Sequence, residues 1–219
     1  MVVGVSVGSL AILENRPSAA EQELLDAAGA EDRRWARRLL EVGGNVEARD
    51  ERGRTALILA ALNGHIGTMR VLVEAGAELN ARDAGRRRWP ALMHALDADK
   101  ATSALALLDW GADPDASEES GYNALMMAAS RGDRWVVAEL LARGANPEAE
   151  LFLGFTALDY AIGYGHASVV RLLLDAAPQL RQRGNAARRS VLALAQRAGD
   201  DEILELVSSP VAGTVGTAH

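Results

Sequence analysis

The chain has 219 residues, of which 49% are hydrophobic, 24% are charged and only 4% are aromatic. This balance is typical of a folded globular protein and excludes wholesale disorder, while the absence of cysteine excludes a disulfide scaffold, a thiolate metal site and a cysteine nucleophile. The formal net charge of -7 argues against a uniformly basic nucleic-acid-binding protein.

Residues 1–19 are interpreted as a poorly ordered N-terminal extension or an added edge strand. Residues 1–13 are apolar, but the first basic residue, Arg16, follows this run, whereas a secretory signal places basic residues before it. A signal peptide therefore remains the alternative for this segment. No stretch reaches the ~18–20 uninterrupted apolar residues of a membrane span, so we expect no membrane partner.

The next feature is a repeat that covers most of the chain. Four segments align without internal gaps: GRTALILAALNGH (53–65), RWPALMHALDADK (88–100), GYNALMMAASRGD (121–133) and GFTALDYAIGYGH (154–166). Their leucine column extends in both directions and consists of Leu24, Leu57, Leu92, Leu125, Leu158 and Leu192. A column of small residues follows three positions later, at Ala27, Ala60, Ala95, Ala128, Ala161 and Ala195. Both columns step by 33, 35, 33, 33 and 34 residues, which indicates a structural repeat.

Each unit predicts a helix, a short turn, a second helix and an extended hairpin. Leu57, Ala60 and Ala61 lie on one apolar face of the first helix, at positions i, i+3 and i+4. Glycines end the second helix at a 33, 35 and 33 residue spacing, which predicts left-handed C-terminal caps at Gly43, Gly76, Gly111 and Gly144. Turn residues for the hairpins are Asp50, Asp83, Gly53, Gly121 and Gly154.

The G-x-T-A-L-x-x-A-A-x-x-G-H run of residues 53–65 and the L-L-x-x-G-A-x-x-N run that follows it resemble ankyrin repeats. The resemblance covers about residues 20–207 and implies an all-α ankyrin-repeat solenoid of helix-turn-helix units with β-hairpin loops. It places four repeats at 49–81, 82–116, 117–149 and 150–180, between capping repeats at 20–48 and 181–207, and leaves 208–219 as a disordered tail. The chain departs from the family pattern where a histidine is replaced by Ile58, Met93, Met126 and Asp159, and the usual proline by alanine.

The sequence contains no recognisable catalytic constellation. His65 and His166 occupy the Gly-His step that the family uses structurally, and Asp159 is interpreted as a solvated or capping residue. His94 and Asp97 lie one helical turn apart, but no third ligand with a defined spacing accompanies them. We therefore predict no enzyme, no cofactor and no metal site.

The hairpin tips carry a row of aromatic residues in a chain with few of them. The position before the threonine column is occupied by Arg54, Trp89, Tyr122 and Phe155, with Phe152 and Tyr164 nearby. One interpretation is an aromatic ladder that anchors an extended segment of a partner. The alternative is that these rings stack on neighbouring hairpins and only stiffen them.

The face formed by the hairpins and the first helices is the predicted partner-binding surface. Its early hairpins are rich in arginine and its later hairpins are acidic, so we expect a partner with an acidic end and a basic or neutral end. The predicted partner-binding residues are Arg52, Arg54, Arg86, Arg87, Arg88, Trp89, Tyr122, Phe152, Phe155, Tyr164, Met93, Met126 and Arg131.

Two other groups of residues are interpreted as structural. Arg33, Arg34, Arg37 and Arg38 are read as a solvated basic helix face, and Trp35 as a core residue. Trp110 and Trp135 are expected on the outer face, where a second contact is possible. Taken together, the sequence predicts a monomeric, non-catalytic module that binds another protein in the cytoplasm, or in the nucleus of a eukaryote. The alternatives are single-stranded RNA binding by the arginine-flanked aromatic row, and an enzyme.

Overall fold

The computed structural model describes residues 17–152, 154–182 and 191–209. Residues 1–16 of the predicted extension, 183–190 of the predicted C-terminal cap and 210–219 of the predicted tail lie outside this range. The chain divides into two compact units between Asp113 and Pro114, and each unit is described by itself. Among the described residues, no helix is both long and apolar enough to cross a membrane.

The first unit is built from three helix pairs: Ala19–Gly29 (α1) with Arg33–Glu41 (α2), Ala56–Asn63 (α3) with Ile66–Glu74 (α4), and Ala91–Asp97 (α5) with Ala101–Asp109 (α6). The first helices pack in the order α1, α3, α5, and the second helices in the order α2, α4, α6. This arrangement produces two layers of helices. The predicted repetition of two-helix units is therefore confirmed in this part of the chain.

The second unit repeats the arrangement with Ala124–Arg131 (α7), Arg134–Ala142 (α8), Ala157–Gly163 (α9), Ala167–Ala176 (α10), Val191–Ala198 (α11) and Asp201–Ser208 (α12). A short 3-10 helix, Pro178–Gln182, follows α10. Here α9 packs between α7 and α11, while α10 packs between α8 and α12. The all-α architecture expected from the 33-residue period is thus observed in both units.

Side chains at the threonine column start the first helices. The Thr55 hydroxyl accepts a hydrogen bond from the Ile58 amide, and the Asn123 side chain accepts one from the Met126 amide. Such N-terminal caps satisfy amides that have no partner inside the helix. The helix α4 ends as predicted, because Gly76 has a left-handed φ of 89° and Ala77 donates its amide to the Leu72 carbonyl.

The hairpins are short, with isolated antiparallel bridges between Arg49 and Thr55, Arg82 and Pro90, and Ser117 and Asn123. In the first unit, Gly53 has a φ of 71°, and a Cβ atom there would lie 2.4 Å from the Ala84 Cβ. The Ala84 amide donates to the Arg52 carbonyl at 3.0 Å. Glycine at this turn therefore lets two consecutive hairpins approach closely.

The predicted alanine column is buried in all six helices that carry it, so neighbouring first helices approach closely within each unit. The leucine column is buried from Leu24 to Leu158, but the expectation for Leu192 is wrong because its side chain is exposed. Val191 and Ala195 occupy the buried positions of α11 instead, one turn apart. The expectation for Trp35 is also wrong: it was expected in the core, but it lies on α2 and is 42% exposed.

The structural role expected for the Gly-His histidines is confirmed. His65 Nδ1 lies 3.0 Å from the Ala28 carbonyl oxygen, and His166 Nε2 lies 3.1 Å from the Ser130 carbonyl oxygen. A carbonyl oxygen only accepts, so each ring nitrogen donates. In each unit, the histidine thus links the start of a second helix to the preceding repeat.

Candidate functional site

The arginines predicted for partner binding differ in how much they are already engaged. Arg54 forms an ion pair with Asp50, with Nη2 2.7 Å from Oδ2, and both side chains are mostly buried. Because Asp50 also accepts the amides of Arg52 and Arg54, this pair holds its own hairpin turn. The other predicted arginines of the first unit, Arg52, Arg86, Arg87 and Arg88, are exposed.

Trp89 does not extend from the hairpin as the aromatic-ladder interpretation expected. Only 7% of the residue is exposed, its ring meets the His94 ring edge-on with centroids 5.7 Å apart, and the Arg87 guanidinium lies 4.9 Å from its centroid. The ladder interpretation is therefore wrong at this position. Trp89 packs locally and stiffens its hairpin, which is the alternative that the sequence left open.

Met93 and Met126 were also predicted to contact a partner, and this prediction is wrong for both residues. Both side chains have no exposed surface, because they follow the N-terminal caps of α5 and α7 on the side that faces the helix layers. A partner does not reach them in this conformation. They are core residues of their respective units.

His94 finds its acidic partner on the hairpin and not on its own helix. Its Nε2 lies 2.8 Å from Asp83 Oδ2, while Asp83 Oδ1 accepts the amides of Gly85 and Trp89. This network holds the hairpin between Arg82 and Pro90 in the first unit. Across residues 17–152, 154–182 and 191–209, no group of three or more His, Cys, Asp or Glu side chains is arranged to hold a metal ion.

The second unit contains all three tyrosines of the chain, and they lie close together. The rings of Tyr122 and Tyr160 meet edge-on with centroids 5.5 Å apart, and the Tyr122 hydroxyl lies 3.4 Å from the Ser130 hydroxyl. Tyr164 follows Tyr160 by four residues and stacks on His166, with centroids 6.4 Å apart. We call Tyr122, Tyr160 and Tyr164 the tyrosine cluster.

Two residues of the second unit are strongly exposed for their type. Tyr164 is 65% exposed and Phe152 is 76% exposed, while Phe155 is half-buried. Phe152 is fixed by its backbone, because its amide donates to the Ser120 carbonyl. Large apolar side chains in such positions are typical of recognition sites when they occur together.

Burial and nearby charges set the electrostatics of the tyrosine cluster. Burial raises the pKa of Tyr122, an effect that the Ser130 hydrogen bond and the positive charge of Arg131 partly offset. Burial also raises the pKa of Tyr160, and the neighbouring Tyr122 contributes in the same direction. Arg131, one of the predicted partner-binding residues, is exposed. The cluster therefore offers hydroxyl groups and aromatic rings, with the positive charge of Arg131 acting on Tyr122.

Sequence reasoning missed Tyr160. The signal was present, because Tyr160 lies on α9 four residues before Tyr164, which directly follows the end of that helix. The half-buried ring of Tyr160 contacts the hairpin residue Tyr122. A search for aromatic pairs at helical spacing finds it.

Asp159 serves a local structural purpose. Its Oδ2 accepts hydrogen bonds from the amide and the hydroxyl of Thr156, at 2.8 and 2.9 Å. Burial raises the pKa of this carboxyl group. Since both donors belong to the start of its own helix, the geometry agrees with the expected capping role.

Comparison with known proteins agrees with the repeat. The family model described as ankyrin repeats in three copies matches residues 24–118, 92–185 and 125–212. The mouse ankyrin repeat domain-containing protein 63 is 34% identical over 128 residues, which is 55% of this chain and 33% of the relative. A human mitochondrial disaggregase is 40% identical over 67 residues, 31% of this chain and 10% of that protein. The chain thus spans a third or less of the length of these curated relatives.

Among solved structures, the ankyrin repeat domain of Bcl-3, described as a unique member of the IkappaB protein family, is similar with a TM-score of 0.77 and 27% identity. The similarity covers 85% of this chain and 81% of the Bcl-3 chain. Ankyrin repeats are generally protein–protein interaction modules and are typically non-catalytic. On the repeat model and the helix pairs alike, this chain belongs to the ankyrin repeat family.

Proposed function

We propose that the chain is a non-catalytic module that binds a partner protein, and that the main contact is the tyrosine cluster with Phe152 and Arg131. The observation that supports this most strongly is the grouping of all three tyrosines with an exposed phenylalanine in one unit of a chain that has only 4% aromatic residues. Tyrosine combines a large apolar ring with a polar tip and is enriched in binding hot spots.

The chemistry of the site suggests which partner fits. Tyr164 and Phe152 offer exposed ring surface, and Arg131 offers a positive charge near Tyr122. A segment with apolar side chains next to an acidic residue would complement both features. Whether the bound protein is inhibited, scaffolded or delivered elsewhere depends on that partner, and a cytoplasmic location remains part of the proposal.

The test compares proteins captured from a cell extract by the wild type and by the double variant Phe152→Ala/Tyr164→Ala. Both side chains are exposed, so the variant removes ring surface without opening the core. A matched control is Trp135→Ala, which removes an aromatic ring that is 50% exposed on the second-helix layer of the same unit.

We expect the double variant to lose its specific partner, with affinity falling at least about ten-fold, and Trp135→Ala to keep it. Circular dichroism is used to check that all variants are folded. Undiminished capture by the double variant would contradict the proposal. So would retention of the wild type on a single-stranded RNA column, lost in high salt and in the double variant, because the site would then bind nucleic acid.

A further inference from the structure

An arginine-lined pocket lies between α2 and α4 in the first unit, on the second-helix layer. Its volume is about 480 Å³. Arg33, Arg34 and Arg37 line it from α2, and Gly67 and Arg70 line it from α4. The sequence suggested only a solvated helix face here, since nothing in it showed that Arg70 would join the arginines of the preceding repeat.

Most of this positive charge is not neutralised within the pocket. Arg37 pairs with Glu74 across the two helices, with Nη2 3.3 Å from Oε2. Arg33, Arg34 and Arg70 are exposed and form no ion pair within the part of the chain that the structure describes. Three guanidinium groups that form no ion pair therefore line one pocket, in a chain whose formal net charge is -7.

The packing of the two helices keeps the pocket open. Gly67 has no side chain, and a Cβ atom at this position would lie 3.3 Å from Arg33 Cδ. Any larger residue in the first turn of α4 would occupy the space that the arginines surround. The absence of a side chain at Gly67 therefore contributes directly to the volume of the pocket.

The arginine pocket shares Arg37 and Val71 with a second pocket, and we call the two pockets together the groove. Beyond the Arg37–Glu74 pair it continues into a smaller pocket of about 240 Å³, lined by Leu40, Glu41 and Val71 among others. Arginines line one end of the groove, Glu41 and Glu74 line the other, and Val71 lines both pockets. Such a pattern accommodates an extended segment whose acidic residues lie at the arginine end.

We propose that this arginine pocket binds the carboxylate groups of an acidic segment of a partner protein. Guanidinium groups present paired N–H donors that match a carboxylate, and their charge strengthens these hydrogen bonds. The site belongs to the first unit and to the second-helix layer. It is therefore additional to the tyrosine cluster, and it stands or fails independently of that site.

The experiment uses the full chain and a short fluorescein-labelled polyglutamate peptide, with fluorescence polarisation as the readout. A polyglutamine peptide of the same length is the uncharged probe. Because the chain as a whole is acidic, binding of polyglutamate reports a local basic site and not general attraction. We expect polyglutamate to bind, polyglutamine not to bind, and the affinity to fall as salt screens the charges.

The decisive variants reverse charge inside and outside the pocket, and Arg34 shares helix α2 with the control residue Arg38. Arg34→Glu and Arg70→Glu should each weaken polyglutamate binding about ten-fold, because each replaces an attraction by a repulsion. Arg38→Glu is the matched control, since Arg38 is exposed on α2 but does not line the pocket. It should change the affinity less than about two-fold, because an exposed charge outside the contact contributes little.

A further variant, at Gly67, tests the pocket without changing its charge. Gly67→Leu places an apolar side chain in the opening and replaces glycine by a better helix former, so we expect it to fold and to weaken polyglutamate binding. Thermal unfolding checks that each variant is folded.

Three results would overturn the proposal. The first is no polyglutamate binding by the wild type. The second is an equal loss in Arg34→Glu and Arg38→Glu, which indicates attraction without a site. The third is tighter binding of a labelled single-stranded RNA that depends on Arg34, which indicates a nucleic-acid site instead. None of these outcomes bears on the tyrosine cluster, because the variants change only the first unit.

Discussion

Trp89 in the first unit and Tyr164 in the second unit are both aromatic residues of the hairpin and first-helix region, yet their surroundings are opposite. Trp89 is covered by Arg87 and His94, with 7% of its surface exposed. Tyr164 stacks on His166 and remains 65% exposed. The first ring serves the stability of its hairpin, whereas the second is available to a partner.

The two rings occupy different positions of the repeat, because Trp89 lies on a hairpin and Tyr164 follows the end of a first helix. The period fixes where the backbone of a hairpin residue lies, because each repeat contains the same helix pair. The residues around it then decide whether the side chain is covered. In the first unit the Arg87 guanidinium lies over the ring of Trp89, whereas Tyr164 remains 65% exposed.

The largest expected effect is the loss of stability on replacing Trp89. Trp89→Ala removes a buried ring and leaves a cavity, so we expect the free energy of unfolding to fall by about 3–5 kcal/mol. Urea denaturation measures this change. A loss below about 1 kcal/mol would show that Trp89 is not part of the packed structure and would remove the contrast with Tyr164.

The next effect concerns the carboxylate that holds the same hairpin. Asp83→Ala removes the acceptor of the Gly85 and Trp89 amides and of His94, so we expect a loss of about 2 kcal/mol. Denaturation beside Trp89→Ala and the double variant measures the coupling. Strictly additive losses would contradict our view that Asp83 acts by holding the Trp89 hairpin.

A smaller effect is expected in the tyrosine cluster at alkaline pH. Burial raises the pKa of Tyr122 and Tyr160 in the folded chain above the ordinary value of 10.0. The unfolded chain therefore releases these protons first, and the free energy of unfolding falls as the pH rises from about 10 through the pKa values of the folded chain. This part of the stability is fully present below pH 10.

Denaturation at increasing pH checks this expectation, with Tyr122→Phe as the test variant. Phenylalanine has no proton to lose, so the alkaline decline should become shallower in this variant than in the wild type. An identical decline in both proteins would show that Tyr122 is as solvated as an ordinary tyrosine.

The smallest effect is expected at the exposed rings. Phe152→Ala/Tyr164→Ala should change the free energy of unfolding by no more than about 0.5 kcal/mol per residue, because neither ring is buried. Measured beside Trp89→Ala, this variant completes the contrast between the two units. A fall in the free energy of unfolding as large as that of Trp89→Ala would mean that these rings are part of the packed structure and are not free to contact a partner.

The fold could be predicted well from the sequence, because regular columns of leucine, alanine and glycine directly reflect helix packing and capping. Ala60, Gly76 and His65 all perform the roles that their columns predicted. The end of the array was harder, since Leu192 keeps the spacing of its column while Val191 takes the buried position.

The candidate site was less predictable, because exposure depends on contacts between residues that are distant in the repeat pattern. Trp89 was expected at the surface and is buried, and Met93 was expected at the surface and has no exposure at all. Tyr160 was missed although its spacing from Tyr164 pointed to it. The pocket at Arg70 needed two neighbouring helices to be placed side by side before its charges could be seen together.

The central claim, that the tyrosine cluster contacts a partner protein, is tested most directly by site-specific photocrosslinking. A benzoylphenylalanine residue is incorporated in place of Tyr164 and, in a separate protein, in place of Trp135, and each protein is irradiated in a cell extract. Our account predicts a defined covalent adduct with one protein from position 164 and none from position 135. An adduct from position 135 alone, or a crosslink from position 164 to RNA, would contradict it.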